Sequence, residues 1–239
     1  MKLKSILLIV IGILIASYPI VKNIYTGYMQ RQILKDWEEE RRAQQLNSHV
    51  KEGSAETSED AINSYLFLDE AFSQINDTET LGHTEGDDKE NKSFVTLGVI
   101  KIDKIDLNLP VMDGATPEIL KIGAGKLTGT ANIGEIGNTA ISAHRSHAYG
   151  RNFNRLNEVE EGDIVVISTF DADYTYEVFN IQVVEPDDVS LLKKSKTDSI
   201  LTLITCHPLY TASHRLIVQA RLISTTVHNP DSDSLMHVY

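Results

Sequence analysis

The segment Leu201 to Arg215, LTLITCHPLYTASHR, holds the chain's only cysteine, Cys206, at the end of an apolar run and ahead of His207, His214 and Arg215. Upstream, a second apolar run, NTAISA, leads into His144 and His147. A thiol attacks only as its thiolate, and a neighbouring base or cation raises the thiolate fraction; histidine is the usual partner. These residue types suit nucleophilic attack by a thiolate. A histidine would act as general acid/base, and the fixed donors of Arg215 would hold a carbonyl or a developing oxyanion. His207 adjoins Cys206 and points to the opposite face wherever strand geometry persists, and His147 and His214 lie within loops. His144, at a strand end, is therefore the base this pattern favours. Each residue also has a plainer reading: a lone cysteine packs as a small hydrophobe, and Arg215 alone is a solvated strand-edge charge. A zinc site built from His144, His147, Cys206, His207 and His214 has suitable donors, but its spacing matches no closed structural site.

The elements that must position these groups are strands. From Phe94 onward the runs VTLGVIKI, LPVM, NTAISA, DIVVIS, YTYEVFNIQVV, ILTLIT and RLIVQARLI alternate with segments rich in Gly, Asn, Asp and Pro. That rhythm predicts a mostly β barrel or sandwich. ATPEILKIGAG reads as a helix, with Thr116 as cap, Pro117 in the first turn and a glycine stop, and DDVSLLKK as a second short one. GAGKL is not a phosphate loop: Leu120 stands where the first glycine should be, and Leu127 replaces the magnesium-binding hydroxyl. Glu158, Glu160, Glu161 and Asp163 lack calcium-ligand spacing and read as a solvated turn.

The N-terminal part differs in kind. Ser5 to Val21 is a run of 17 uncharged residues, at the short end of a membrane span, and is expected to be a signal-anchor helix. Lys2 and Lys4 precede it and Lys22, Arg31, Lys35, Arg41 and Arg42 follow, so flanking charge alone leaves its orientation open. Asp36 to Gln45 reads as a charged juxtamembrane helix. Lys51 to Lys92 carries 12 acidic and 3 basic residues and no proline, a composition that predicts a largely disordered spacer. Within it Ile62, Tyr65, Leu66, Phe72 and Ile75 recur at helical spacing, which predicts a short amphipathic helix docked on the following domain. The expected organisation is an anchor at 1–22, a juxtamembrane helix and acidic spacer at 23–92, a catalytic barrel at 93–224 and a polar tail at 225–239 without a second apolar span. With 239 residues there is room for one domain of ordinary size plus these extensions. One cysteine excludes an intramolecular disulfide, and a net charge of -12 argues against nucleic acid as a partner.

Taken together, Thr202, Leu203, Thr205 and Cys206 in TLITC, the SHR that follows and the upstream strand ending in His-Arg resemble the sortase family of cysteine transpeptidases. The resemblance runs over roughly Thr96 to Ile223 and includes ISAHRSHAYGRNFNRLNEVEEGD. It implies an eight-stranded β-barrel with one or two short helices behind an N-terminal transmembrane helix. It implies Cys206 as nucleophile, His144 as acid/base partner and Arg215 as the oxyanion-stabilising residue, with backbone around Thr205 and His207 contributing substrate contacts. The implied reaction cleaves an LPxTG-like sorting signal of a secreted surface protein between Thr and Gly. The acyl group then passes to an amine, either a peptidoglycan precursor or a pilin lysine, with no metal or other cofactor, at the outer face of a Gram-positive cell membrane. The short gap in TCHPLYTASHR is most similar to the pilin-polymerising class C and the related class D. The Asp-Pro-aromatic motif that marks the class C lid is absent from the proline-free spacer, and the helix at 62–75 is the candidate to cover the cleft in its place. Two other readings share these residues: a cysteine peptidase that hydrolyses the same acyl-enzyme, and a non-enzymatic β-rich surface adhesion module in which Cys206 is core.

Overall fold

The structure, a computed structural model, describes residues 2–45, 58–81 and 94–228. Eight strands close a barrel: β1 (Thr96–Ile102), β2 (Leu107–Asp113), β3 (Ala124–Lys126), β4 (Gly137–Ala143), β5 (Ile164–Ser168), β6 (Ala172–Val184), β7 (Ser199–His207) and β8 (His214–Val227). Their order around the wall is β1-β2-β3-β4-β7-β8-β6-β5, with β1 pairing β5 to complete the ring. Closure leaves no free sheet edge, which suits a barrel of short apolar strands. The β2–β3 and β4–β7 pairs are parallel; the others are antiparallel.

Seven of these strands coincide with the seven apolar runs. The eighth, β3, is only three residues long and lies in AGK, within the stretch read as the end of a helix. Its pairing with β2 and β4, not its composition, makes it a strand. β8 continues through Thr225, Thr226 and Val227, opposite Tyr174, Asp173 and Ala172, so the barrel runs three residues past the expected boundary at 224. Residues 229–239 of the expected tail, and 46–57 and 82–93 of the expected spacer, lie outside the described residues.

Period-two alternation divides the wall into two cores. Inside the barrel lie Ile141, Ala143, Leu201, Leu203, Leu216, Val218 and their neighbours. The other face of the same strands carries Ala140, Ile204, Cys206 and Ile217, and it is covered. The cover is α2 (Ser58–Leu81), the docked amphipathic helix expected over 62–75, extended at both ends into the stretch expected to be a disordered spacer. Ala61, Tyr65, Leu68, Phe72 and Ile75 are buried at alternating spacings of four and three, so one helical stripe faces the barrel. Ile62 and Leu66, placed on that stripe by the sequence reading, instead face solvent. Burying a large apolar side chain stabilises by about 1.5–3 kcal/mol, and four such residues hold α2 down. The fit is close at Gly129, whose φ is +77°: a Cβ there would meet the backbone nitrogen of Ala61 at 2.4 Å.

The expected helix at 117–122 is α3 (Pro117–Ile122); Thr116 caps it by accepting from the Ile119 N–H, and Pro117 opens it. DDVSLLKK forms a single 3-10 turn, Val189–Leu192. α1 runs without interruption over Lys2–Gln45, uniting the expected anchor with the juxtamembrane helix. Its later half docks on the barrel, with Trp37 buried against Phe170 at 5.7 Å between rings and Gln30 donating to Asn152 at 2.6 Å. Among the described residues no helix is long and apolar enough to cross a membrane, so the expected span is not shown by α1. The uncharged run has the minimum length, and Ser17, Tyr18 and Pro19 dilute its apolar end. The side chains of Ile6 to Ile11, and of Ile13, are exposed and apolar.

Candidate active site

Three adjacent strands bring the chemistry into one row. In the parallel β4–β7 pair Ser142 lies opposite Ile204, and carrying that register two residues further brings His144 level with Cys206. In the antiparallel β7–β8 pair Cys206 lies directly opposite Arg215. Side chains at paired positions share a face. Cys206 follows Ile204 onto the outer face of the wall, the one beneath α2. The three groups that sequence singled out as nucleophile, base and oxyanion donor therefore sit in register across β4, β7 and β8. All three are buried, Cys206 at 2%, His144 at 3% and Arg215 at 3% exposure.

Burial sets the state of the thiol. Its pKa is pushed up from 9.0 to about 12 by loss of solvent, and the charge of Arg145 pulls the other way. In the covered conformation Cys206 is thus a neutral thiol. Arg215 donates to the Ala212 carbonyl at 3.0 Å and to the His214 carbonyl at 2.9 Å, which aims the guanidinium along the wall. Its second terminal nitrogen pairs with Asp69 of α2, and its carbon lies 5.3 Å from the centre of the Phe72 ring. Desolvation lowers the Arg215 pKa, while Tyr65 opposes that shift. Tyr65 is itself fully buried, its hydroxyl has no hydrogen-bond partner among the described residues, and burial raises its pKa to about 12. A cavity of about 280 Å³ beside α2 is lined by Asp60, Ser64, Phe67, Gly114, Thr116 and Thr128; it reaches none of the three central residues, because α2 fills the space above them.

Thr205 and His207 are placed differently. Thr205 is buried, and its hydroxyl donates to the Ala143 carbonyl at 2.8 Å. Its side chain thus ties β4 to β7 just before His144, one step from the nucleophile. His207 is partly buried at the end of β7, paired in register with His214. His214 itself leans outward to Glu185 at 3.3 Å, away from a role beside the thiol. His147, in the loop beyond β4, lies 5.2 Å from the ring of Tyr210, so these two aromatics link the loops on either side of the row.

Sequence reasoning passed over two residues that the fold puts at this site. Arg145, directly after His144, is buried and bonded to Cys206 and His207. Asp69 of α2 pairs with the guanidinium of Arg215. A signal for Asp69 existed, since on a helix it falls on the side of Tyr65 and Phe72, four residues after one and three before the other.

A family model described as "Sortase domain" matches residues 100–223, more than half of the chain. Sortase D of Bacillus subtilis is 30% identical over 111 residues, covering 46% of this chain and 54% of that protein. Sortase A of Streptococcus agalactiae is 27% identical over 156 residues, covering 63% of this chain and 62% of that protein. The chain therefore spans between half and two thirds of the length of these curated relatives. Among solved structures, sortase C of Streptococcus pneumoniae superposes with a TM-score of 0.58 at 27% identity, over 82% of this chain and 98% of that one.

Proposed function

Because the chain belongs to the sortase family, we propose that it is a membrane-attached cysteine transpeptidase acting on LPxTG-like sorting signals. The observation that carries this reading is the row of His144, Cys206 and Arg215 across β4, β7 and β8. In the proposed reaction the Cys206 thiolate attacks the Thr–Gly carbonyl, and the charge that gathers on the carbonyl oxygen is met by Arg215. His144 delivers a proton to the departing glycine amine as the C–N bond breaks, leaving a thioester on Cys206. An amine then attacks the thioester, His144 accepts its proton, and the C–S bond breaks to release the Cys206 thiolate as the new amide forms. The proposed amine is a peptidoglycan stem peptide or a pilin lysine. Such partners place the barrel outside the cytoplasm, with the apolar residues between Ser5 and Val21 attached to the membrane. The exposure of Ile6, Leu7, Leu8 and Ile9 on α1 supports that attachment.

Peptide access requires α2 to leave, since Cys206 lies beneath it and Asp69 holds Arg215. The test incubates the full chain with LPxTG-type peptides and an amine, and follows Cys206 by mass spectrometry. A thioester on Cys206 together with the amide product supports transpeptidation. A thioester that yields acid alone, with every amine tried, makes the chain a peptidase. No adduct, alongside an unreactive thiol, returns Cys206 to the core. Membrane attachment is checked by fractionation: deleting residues 2–22 should move the chain from the membrane to the soluble fraction.

A further inference from the structure

Arg145 makes four directed contacts from a buried position beside the site. Its Nε donates to the Asn154 carbonyl at 3.3 Å and one terminal nitrogen donates to Asn157 Oδ1 at 2.6 Å. The other terminal nitrogen lies 3.3 Å from the Cys206 carbonyl and 3.0 Å from Nδ1 of His207. The side chain is 6% exposed, yet none of these partners is a carboxylate, and no ion pair to Arg145 occurs among the described residues. Buried charges are ordinarily paired, because desolvation costs several kcal/mol per ion. A guanidinium held by neutral acceptors alone beside the carbonyl of Cys206 keeps its charge available to stabilise an anion formed on that residue.

The contact to His207 carries a second consequence. A guanidinium only donates, so Nδ1 of His207 must accept and cannot hold a proton. The neutral ring then carries its hydrogen on Nε2, and protonation of the ring would set two donors against each other. We propose that Arg145 is a positioning residue of the transfer site: its buried guanidinium fixes the Cys206 carbonyl and the His207 ring, holds His207 as the neutral Nε2–H tautomer, and presents to the nucleophile a cation that no carboxylate neutralises. Burial, Arg145 and His214 together depress the His207 pKa, in keeping with this arrangement. The groups facing His207 are Arg145 from the loop after β4 and His214 from β8, and both oppose its protonation.

The inference rests on the transferase reading for the word nucleophile, so its readouts are taken on the ring and on the thiol, where they fail separately from thioester formation. The first uses the wild-type full chain labelled with ¹⁵N-histidine, the His207 signals being assigned by their loss in His207→Gln. Long-range ¹H–¹⁵N correlation should show Nδ1 bare and Nε2 protonated, with a titration midpoint below the ordinary value of about 6.5. A proton on Nδ1, or an ordinary midpoint, overturns the proposal without any variant having to fold. The second compares the pH profile of Cys206 alkylation in wild type, Arg145→Gln and Arg145→Lys. Loss of the cation should move the Arg145→Gln profile to higher pH, about tenfold slower at a fixed pH below the midpoint, with Arg145→Lys in between. A merely structural role predicts the opposite sign, because a loosened site exposes the thiol and moves its profile to lower pH; that result, or no shift, overturns the proposal.

Discussion

Cys206 is the residue on which stability and chemistry pull in opposite directions. The folded chain, with α2 down, favours the neutral thiol, since burial raises its pKa from 9.0 to about 12. An acid with a raised folded pKa binds its proton more tightly in the native state. The stability this contributes is fully present below the ordinary thiol range and is lost as pH rises from about 9 toward the folded value. Melting temperature should therefore fall between roughly pH 9 and 11 in wild type, and less steeply in Cys206→Ala. Parallel slopes would mean that the thiol is solvated in the folded chain. Tyr65, also raised to about 12, adds a loss of the same sign at higher pH, so Cys206→Ala flattens the slope without abolishing it. In the transfer assay Cys206→Ala and His144→Ala should give no amide. Arg215→Ala should lower the rate by about a hundredfold or more, the typical cost of removing an oxyanion donor. Near-normal turnover in His144→Ala would remove that histidine from the base's role.

At the scale of elements, the outcome depends on the equilibrium between docked and undocked α2. The helix is held by Tyr65, Leu68, Phe72 and Ile75 on the outer wall and by Asp69 on Arg215, and the same contacts withhold Cys206 from reagents. Truncating a buried phenylalanine costs about 3–5 kcal/mol, part of which falls on docking. Phe72→Ala and Asp69→Ala should each raise the rate of iodoacetamide alkylation of Cys206, Phe72→Ala by at least tenfold. If both variants react at the wild-type rate, some other opening exposes the thiol. Much of this architecture was legible beforehand. The β-branched runs announced seven strands, and the neighbourhood of His144, Cys206 and Arg215 could be read ahead of the fold because each lies at or just past the end of a regular strand, where register fixes position. β3 was hidden because three residues with a central glycine carry no periodicity. The docked helix at 62–75 was legible from its apolar spacing, but its extension to Ser58 and Leu81 was masked by the acidic, polar flanks, and its hold on Arg215 was hidden because Asp69 and Arg215 are distant in sequence. Arg145 stood in plain view after His144, but its worth lies in four acceptors from two separate segments, 154–157 and 206–207, which only the folded barrel brings together.

At the scale of the whole molecule, α1 ties the N-terminal region to the barrel. Trp37 is buried against Phe170, and Arg41, from the next turn of α1, meets Asp173 at 3.1 Å as well as His228 beyond the end of β8. Arg41 also lies 5.1 Å from the Trp37 ring, so ion pair and aromatic contact form one patch. Desolvation acts to raise the Asp173 pKa, but the hydroxyl of Ser168 and the charges of Arg41 and His228 outweigh it, and the net shift is downward. A carboxylate with a lowered folded pKa contributes stability above its unfolded value, and that contribution is lost as pH falls through the folded value. Docking of α1 should therefore hold from neutral pH down to about 4 and weaken below it. Trp37 is the chain's only tryptophan, so its emission reports this contact without interference. Wild type should keep a blue-shifted emission until that range and then move to the red. Asp173→Asn, which keeps the shape but removes the charge, should be partly red-shifted at neutral pH and lack the acid step, and Arg41→Met should behave alike. An acid step of equal size and midpoint in wild type and both variants would show that the apolar contact with Phe170 and the Gln30–Asn152 hydrogen bond hold α1 in place without the ion pair.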